Sequence, residues 1–85
     1  MQLILEKDAR RGLARMQRSA QDAMVNRLLA IAADPFAHHA NVHRMKGRPQ
    51  SFRLRQGDWR AIYEVNTHAN ELRVRIIDTR GDVYR

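Results

Sequence analysis

Arginines are the residues of this sequence with the clearest capacity for chemistry, and three of them occur in segment 51–65, SFRLRQGDWRAIYEV. Arg53 and Arg55 alternate with apolar residues before a Gly-Asp pair, and Arg60 follows that pair. A guanidinium presents a planar fork of donors that matches the oxygens of a phosphate group. Arginines gathered on one surface would form a site for a phosphate backbone. The alternative is that they only extend into solvent and block aggregation.

Strand pairing decides whether these arginines share a surface. The alternation predicts two strands, and Gly57-Asp58 is typical of the two-residue turn of a hairpin. Arg55 then lies opposite Arg60, and Arg53 lies opposite Ile62. Residues directly opposite each other share a face of the sheet. The other face, which we expect to pack on the core, carries Phe52, Leu54, Ala61 and Tyr63.

A third alternating run, ELRVRIID at 71–78, predicts another strand of the same sheet. A slip of one residue would bury its arginines, so the register is strongly specified. The simplest pairing places Val65 opposite Leu72 and Ile62 opposite Arg75. The predicted core face of this strand carries Leu72, Val74 and Ile76. The predicted outer face of the three strands carries Arg53, Arg55, Arg60, Ile62, Glu64, Arg73, Arg75 and Ile77.

The first half of the chain must supply the elements that cover the core face. The segment QLILE at 2–6 is too apolar to stand alone and predicts a short strand of the sheet. Ala9, Leu13 and Met16 recur on one face of a helix. Asp8 is the predicted cap of this helix.

The second helix is more clearly indicated. Ser19 and Asp22 resemble a capping box, and the helix should end at Asp34, since the residue before a proline avoids helical geometry. Its apolar stripe is Met24, Leu28 and Ile31. Residues 35–50 lack periodicity and predict a loop. The sequence therefore predicts one α+β domain over 1–85, of order β-α-α-β-β-β, with two antiparallel helices on one face of a three-stranded antiparallel meander.

Composition limits the partners. The chain of 85 residues carries a formal net charge of +7, and 14 of its 16 basic residues are arginine. This excess favours nucleic acid or an acidic protein as partner. The lack of cysteine excludes disulfides and thiolate metal sites. No apolar run has the length of a membrane span and no signal peptide is evident, so we expect a cytoplasmic protein.

The histidines do not predict a metal site. His38, His39 and His43 fall in the predicted loop, which has no carboxylate near them to complete a ligand set. We therefore interpret them as polar loop residues.

Two segments together resemble a known family. RMKGRPQSFRLRQGDWRAIYEV is followed by IIDTRGDVYR. In order, they contain a basic loop with glycine, Arg-X-Arg, a Gly-Asp turn, an aromatic residue with arginine, Ile-Tyr, and a late Arg and Val-Tyr. This pattern resembles the RelE/ParE superfamily of bacterial toxins, and the resemblance covers essentially the whole chain.

The resemblance implies a RelE-like toxin of a type II toxin–antitoxin system. Such toxins cleave mRNA in the ribosomal A site by attack of the RNA 2′-hydroxyl, which leaves a 2′,3′-cyclic phosphate and a 5′-hydroxyl. No metal or other cofactor is implied. The implied partners are mRNA, ribosomal RNA and a cognate antitoxin whose acidic or amphipathic segment wraps the toxin. No membrane and no small-molecule substrate are implied.

The resemblance also assigns site residues. The implied catalytic residues are Arg53, Arg55, Arg60, Arg80 and Tyr84. The expected RNA-binding residues are Arg44, Lys46, Arg48, Arg73 and Arg75. Some relatives carry lysines at the positions of Arg53 and Arg55, and arginine cannot be deprotonated. The general base therefore stays open between Tyr84 and Glu64, and Glu64 has a simpler interpretation as the ion-pair partner of Arg73.

Two other functions fit the same sequence. A ParE-like toxin would bind DNA gyrase and would not need Arg60, Arg80 and Tyr84 to converge. A catalytically weak homologue would bind only RNA or an antitoxin, and the arginines at lysine-type positions are compatible with it.

Overall fold

The computed structural model describes residues 1–79, which form one five-stranded sheet and two helices. The elements are β1 (Gln2–Leu5), α1 (Lys7–Ala14), α2 (Arg18–Ala33), β2 (Val42–Arg44), β3 (Ser51–Gln56), β4 (Trp59–Asn66) and β5 (Glu71–Asp78). The strands lie in the order β1-β5-β4-β3-β2. Neither described helix is long and apolar enough to cross a membrane.

The predicted α+β class and element order are confirmed, with two corrections to the sheet. Four strands follow the helices rather than three, because β2 forms inside the segment predicted as a loop. Its three residues are too few to show an alternating pattern. The sheet is also mixed, since β1 pairs in parallel with β5 while the other neighbours are antiparallel.

The predicted register of the β3–β4 hairpin is confirmed at every pair. Arg55 lies opposite Arg60, and Arg53 lies opposite Ile62. Gly57 has a φ of 61°, a conformation that glycine adopts without steric cost in a tight turn. The core face of the hairpin is buried as expected at Phe52, Leu54, Ala61 and Tyr63.

The predicted register between β4 and β5 holds for only part of its length. Val65 lies opposite Leu72 as expected, but a bulge between Ile62 and Tyr63 places Ile62 opposite Ile76 instead of Arg75. A bulge sets two residues of one strand against one of its partner and reverses the alternation beyond it. The prediction for the two isoleucines was therefore wrong: Ile77 is fully buried in the core, and Ile76 is only half-buried, on the outer face.

Helix α1 packs close to the end of β5. A Cβ atom at Gly12 would lie 1.8 Å from the carbonyl oxygen of Ile77. Gly12 has a low helix propensity, but its lack of a side chain allows α1 to approach β5 closely. Ala9 and Met16, which were predicted on the same helix face, are both buried, although Met16 lies beyond the end of α1.

The helix starts differ from the predictions. Glu6 and Gln17 are the N-cap residues of α1 and α2, and neither makes a side-chain capping hydrogen bond. Asp8 and Ser19 therefore lie inside the first turns, and their predicted capping roles were wrong. Asp34 does follow the last helical residue. The predicted stripe of Met24, Leu28 and Ile31 is fully buried.

Candidate nucleic-acid interface

Three arginines meet on the outer face of the sheet, away from the helices. Arg53 and Arg55 project from β3 and Arg60 projects from β4; we call these three the arginine cluster. Together with Asn41 and His43 they line one shallow pocket. Strand register brings them together, because Arg55 lies opposite Arg60 and His43 of β2 lies opposite Arg53.

Two arginines of the cluster, Arg55 and Arg60, donate hydrogen bonds to backbone carbonyl oxygens. Arg60 Nη1 donates to the carbonyl oxygen of Thr79 at 2.8 Å, and Arg55 Nε donates to that of Gly57 at 3.4 Å. A carbonyl oxygen accepts a hydrogen bond without cancelling a unit charge. Asp78 lies opposite Arg60 on β5, but its carboxylate lies 3.7 Å from Arg15 of α1. The pocket is therefore a place for an anion.

The sequence interpretation includes neither Asn41 nor His43 in this pocket. The sequence predicts a polar loop at His43, whereas the structure places it in β2, exposed and directly opposite Arg53. The other two histidines of this segment lie elsewhere. His39 Nε2 lies 2.7 Å from the carbonyl oxygen of Asp34, and His38 and His39 line a different pocket. No sequence signal indicates the position of His43, since a strand of three residues is too short to show an alternating pattern.

A second group of arginines on the same face is neutralised by carboxylates. We call it the paired cluster: Arg73 and Arg75 of β5 with Glu6, Glu64 and Glu71. Arg73 contacts Glu71 at 2.9 Å and Glu6 at 3.5 Å, and Arg75 contacts Glu64 at 3.0 Å and Glu6 at 3.3 Å. The hydrogen bond that Arg73 donates to Glu71 raises the pKa of Arg73 above its usual value.

Glu64 belongs to this paired cluster. It lies opposite Arg73 as predicted, but the expected ion pair with Arg73 was wrong, since its carboxylate contacts Arg75 instead. Oε2 of Glu64 also accepts a hydrogen bond from the buried Ser51 hydroxyl at 3.4 Å. Glu64 is four residues along β4 from Arg60, roughly 13 Å at the rise of a strand.

The other expected RNA-binding residues lie outside the arginine cluster. The Arg44 guanidinium sits over the Phe52 ring, 5.5 Å from its centroid, which is a cation–π contact. Lys46 is exposed in the β2–β3 connection. Arg48, in the same connection, lines a pocket of mixed charge with Glu6 and Glu64.

Tyr63 takes no part in the outer face. It is fully buried beneath the sheet, stacked on Phe52 with 5.3 Å between ring centroids. Within the described part of the chain its hydroxyl has no hydrogen-bond partner. Burial raises its pKa to about 12, against a smaller opposing effect of the Arg27 cation.

Comparison with solved structures identifies the architecture. The isolated RelE toxin of E. coli matches with a TM-score of 0.79 at 17% identity, covering 98% of this chain and 89% of that chain. The archaeal RelE–RelB complex of Pyrococcus horikoshii matches with a TM-score of 0.80 at 19% identity, covering 94% of each chain. The chain has the RelE fold. The RelBE2 toxin–antitoxin complex of Mycobacterium tuberculosis also matches, with a TM-score of 0.75 at 17% identity over 93% of this chain and 96% of that chain.

These similarities are in structure and not in amino-acid sequence. No protein-family model matches the sequence, and no curated protein matches it significantly. The RelE fold is thus carried by a sequence that shares fewer than one residue in five with these three structures. Arg80 and Tyr84, which the resemblance assigned to the catalytic site, lie outside the described residues and stay predictions.

Proposed function

We propose that this protein is the toxin of a toxin–antitoxin system and that it cleaves mRNA in the A site of the ribosome. One observation carries the proposal. On a RelE fold, Arg55 and Arg60 of the arginine cluster lie on the outer face of the sheet and donate hydrogen bonds to backbone carbonyl oxygens. The other arginines of the same face, Arg73 and Arg75, are matched by carboxylates. An arginine that a fold leaves unneutralised is available to bind phosphate.

The arginine cluster suits phosphoryl chemistry on RNA. As the 2′-hydroxyl attacks, negative charge accumulates on the non-bridging oxygens of the scissile phosphate, and fixed cations stabilise that charge. Arg60 is our choice for this role, because its hydrogen bond to the Thr79 carbonyl fixes its position. Arg53 and Arg55 would hold the scissile or flanking phosphates. Arg80 and Tyr84 keep their predicted catalytic roles as part of the proposal.

The proposed protein partner is an antitoxin with an acidic or amphipathic segment. Two of the structural neighbours named above are toxin–antitoxin complexes. The formal net charge of +7 on this chain would favour association with an acidic partner. Both this partner and the ribosome would be met in the cytoplasm.

The test is a cell-free translation reaction with the purified protein and a reporter mRNA, in which cuts are mapped by primer extension. We expect cuts at codon positions that depend on translation and that disappear with Arg60→Ala. Arg18→Ala is the matched control, since it removes an exposed arginine of α2 that forms an ion pair only with Asp22 within residues 1–79.

Other outcomes would identify another function. Intact mRNA together with accumulating gyrase–DNA cleavage complexes would replace the proposal with a ParE-like activity. Intact mRNA without an effect on gyrase would reduce the protein to a binding homologue. Reporter and gyrase assays on the same preparation therefore distinguish the three functions.

A further inference from the structure

The proposed cleavage needs a group that takes a proton from the 2′-hydroxyl. Within residues 1–79, His43 is the imidazole that lines the pocket of the arginine cluster. It lies directly opposite Arg53, and it shares its pocket with Asn41, Arg53, Arg55 and Arg60. Opposed residues of an antiparallel pair have Cα atoms about 4.5–5.5 Å apart. A phosphate bound by Arg53 would therefore lie within reach of the imidazole.

The backbone around His43 is held in place. Val42, His43 and Arg44 all pair with β3, and the backbone N–H of Arg55 donates to the carbonyl oxygen of Asn41 at 3.0 Å. The imidazole itself is exposed on an edge strand, and neither ring nitrogen has a hydrogen-bond partner among residues 1–79, in contrast to that of His39. The ring is thus positioned by its strand and free to meet a ligand.

The chemistry of the pocket leaves this role to the imidazole. The guanidinium groups that surround it are donors only and do not deprotonate in proteins. The Asn41 amide has no basic nitrogen. A neutral imidazole accepts a proton and is the side chain that most often does so in enzymes.

Glu64 fits the role less well. It lies roughly 13 Å along β4 from Arg60 by the rise of a strand, and its Oε2 atom is engaged by both Arg75 and Ser51. A base must lie within hydrogen-bond reach of the proton it removes while the arginines hold the phosphate. His43 lines the pocket of the arginine cluster, and Glu64 does not.

We propose that His43 is the general base of the cleavage reaction, an inference that rests on the proposed function. The neutral imidazole takes the proton of the 2′-hydroxyl as the O2′–P bond forms. The P–O5′ bond breaks, and the 5′ oxygen takes a proton from water. The imidazolium then returns its proton to solvent, so the products are a 2′,3′-cyclic phosphate and a 5′-hydroxyl with no net change in protons.

The test is single-turnover cleavage by the full chain on purified ribosomes that carry an mRNA in the A site. His43→Gln keeps a polar side chain of similar size and removes the base. We expect its rate to fall about 100-fold or more, the usual contribution of a general base. His68→Gln, the same substitution in the β4–β5 turn, is the matched control and should leave the rate unchanged.

Three further measurements separate a base from a residue that only binds. The Kd for an mRNA with a 2′-deoxy group at the cleavage site should be unchanged by His43→Gln. The wild type should show a low-pH limb in its rate that the variant lacks, since the other charged groups facing His43 within residues 1–79 are Arg53, Arg55 and Arg60. Added imidazole should restore part of the rate of His43→Ala.

The outcomes keep the two proposals apart. If the wild type does not cleave ribosome-bound mRNA, the proposed function fails. If it cleaves and His43→Gln cleaves within about fivefold of it, far less than general-base catalysis contributes, the assignment of His43 is wrong. It is also wrong if His43→Gln weakens RNA binding as much as it slows cleavage, or if Glu64→Gln removes the low-pH limb and His43→Gln keeps it.

Discussion

Two groups of arginines occupy the same face of one sheet, and the fold treats them differently. The paired cluster sets Arg73 and Arg75 against three glutamates, a formal excess of one negative charge. The arginine cluster gathers three arginines and a histidine around one pocket. Local sequence does not separate them, because both groups come from an Arg-X-Arg pair in an alternating strand.

The difference lies in which chain segment is the neighbour. Glu6 follows β1 and is the N-cap residue of α1, and the parallel pairing of β1 with β5 brings it beside both arginines of the paired cluster. The arginine cluster lies at the opposite side of the sheet, where the neighbour is β2 with His43. Surface ion pairs contribute little free energy, so the pairing matters chiefly for which arginines remain available to an anion.

The largest expected difference between the two groups is in cleavage. Arg60→Ala should lower the single-turnover rate on ribosome-bound mRNA about 100-fold or more, the usual loss when one charge-stabilising donor is removed. Arg75→Ala should cost less than about fivefold, since its charge is already matched by Glu64 and Glu6. Similar losses in both variants would remove the functional distinction between the groups.

The salt dependence of RNA binding should also differ between the arginine cluster and the paired cluster. Each phosphate neutralised on a single strand contributes about 0.7 to the slope of log affinity against log salt. The double variant R53A/R55A should therefore lower the slope by about 1.4, measured by fluorescence anisotropy with an uncleavable 2′-O-methyl oligonucleotide. R73A/R75A is the control of equal charge, and a change in slope as large as that of R53A/R55A would show that the paired cluster also contacts phosphates.

The stability of the fold should depend more on the paired cluster than on the arginine cluster. Glu6→Gln removes the carboxylate shared by Arg73 and Arg75, and we expect the free energy of unfolding in urea at low salt to fall by about 1 kcal/mol or less. Arg55→Ala relieves a like-charge contact with Arg60 and should be neutral or slightly stabilising. High salt should reduce both effects. A larger loss for Arg55→Ala than for Glu6→Gln would contradict the comparison.

A further effect on stability should come from the core beneath the arginine cluster. The Tyr63 hydroxyl is buried without a partner in the described residues, so Tyr63→Phe should be about 1 kcal/mol more stable at neutral pH. A pKa raised from 10.0 to about 12 means that the folded state holds this proton more tightly. That contribution is complete below the unfolded pKa and is lost as pH rises through the folded pKa. Urea midpoints should therefore fall more steeply with alkaline pH for the wild type than for Tyr63→Phe, and parallel curves would contradict the raised pKa.

The hairpin of the arginine cluster could be predicted because its information is local. A two-residue turn fixes the register of both strands, and burial of Phe52 and Leu54 on one face leaves Arg53 and Arg55 on the other. The stripe of α2 was predictable for the same reason, since a helical period is visible within one segment. The same local pattern predicts that Arg53, Arg55 and Arg60 share one face of the hairpin, and the strand register confirms that placement.

The contributions of distant segments could not be predicted in this way. Strand β2 has only three residues, and nothing in their types indicates that His43 would lie opposite Arg53. The bulge in β5 cannot be recognised from its alternating sequence, yet it places Ile77 on the core face and Ile76 on the outer face, the reverse of the prediction. The partner of Glu64 was missed for a related reason, because direct opposition to Arg73 did not determine which guanidinium its carboxylate would reach.

The sequence by itself determined the α+β order, the register of the hairpin and the face on which its arginines lie, since each depends on alternation and turn chemistry within a few residues. Only the tertiary structure decided that Arg73 and Arg75 pair with carboxylates and that His43 lines the pocket of the arginine cluster. Those outcomes depend on the strands that flank the hairpin, β2 on one side and β5 with β1 on the other. Their positions are set by packing between segments far apart in the chain, and a local pattern carries no record of that packing.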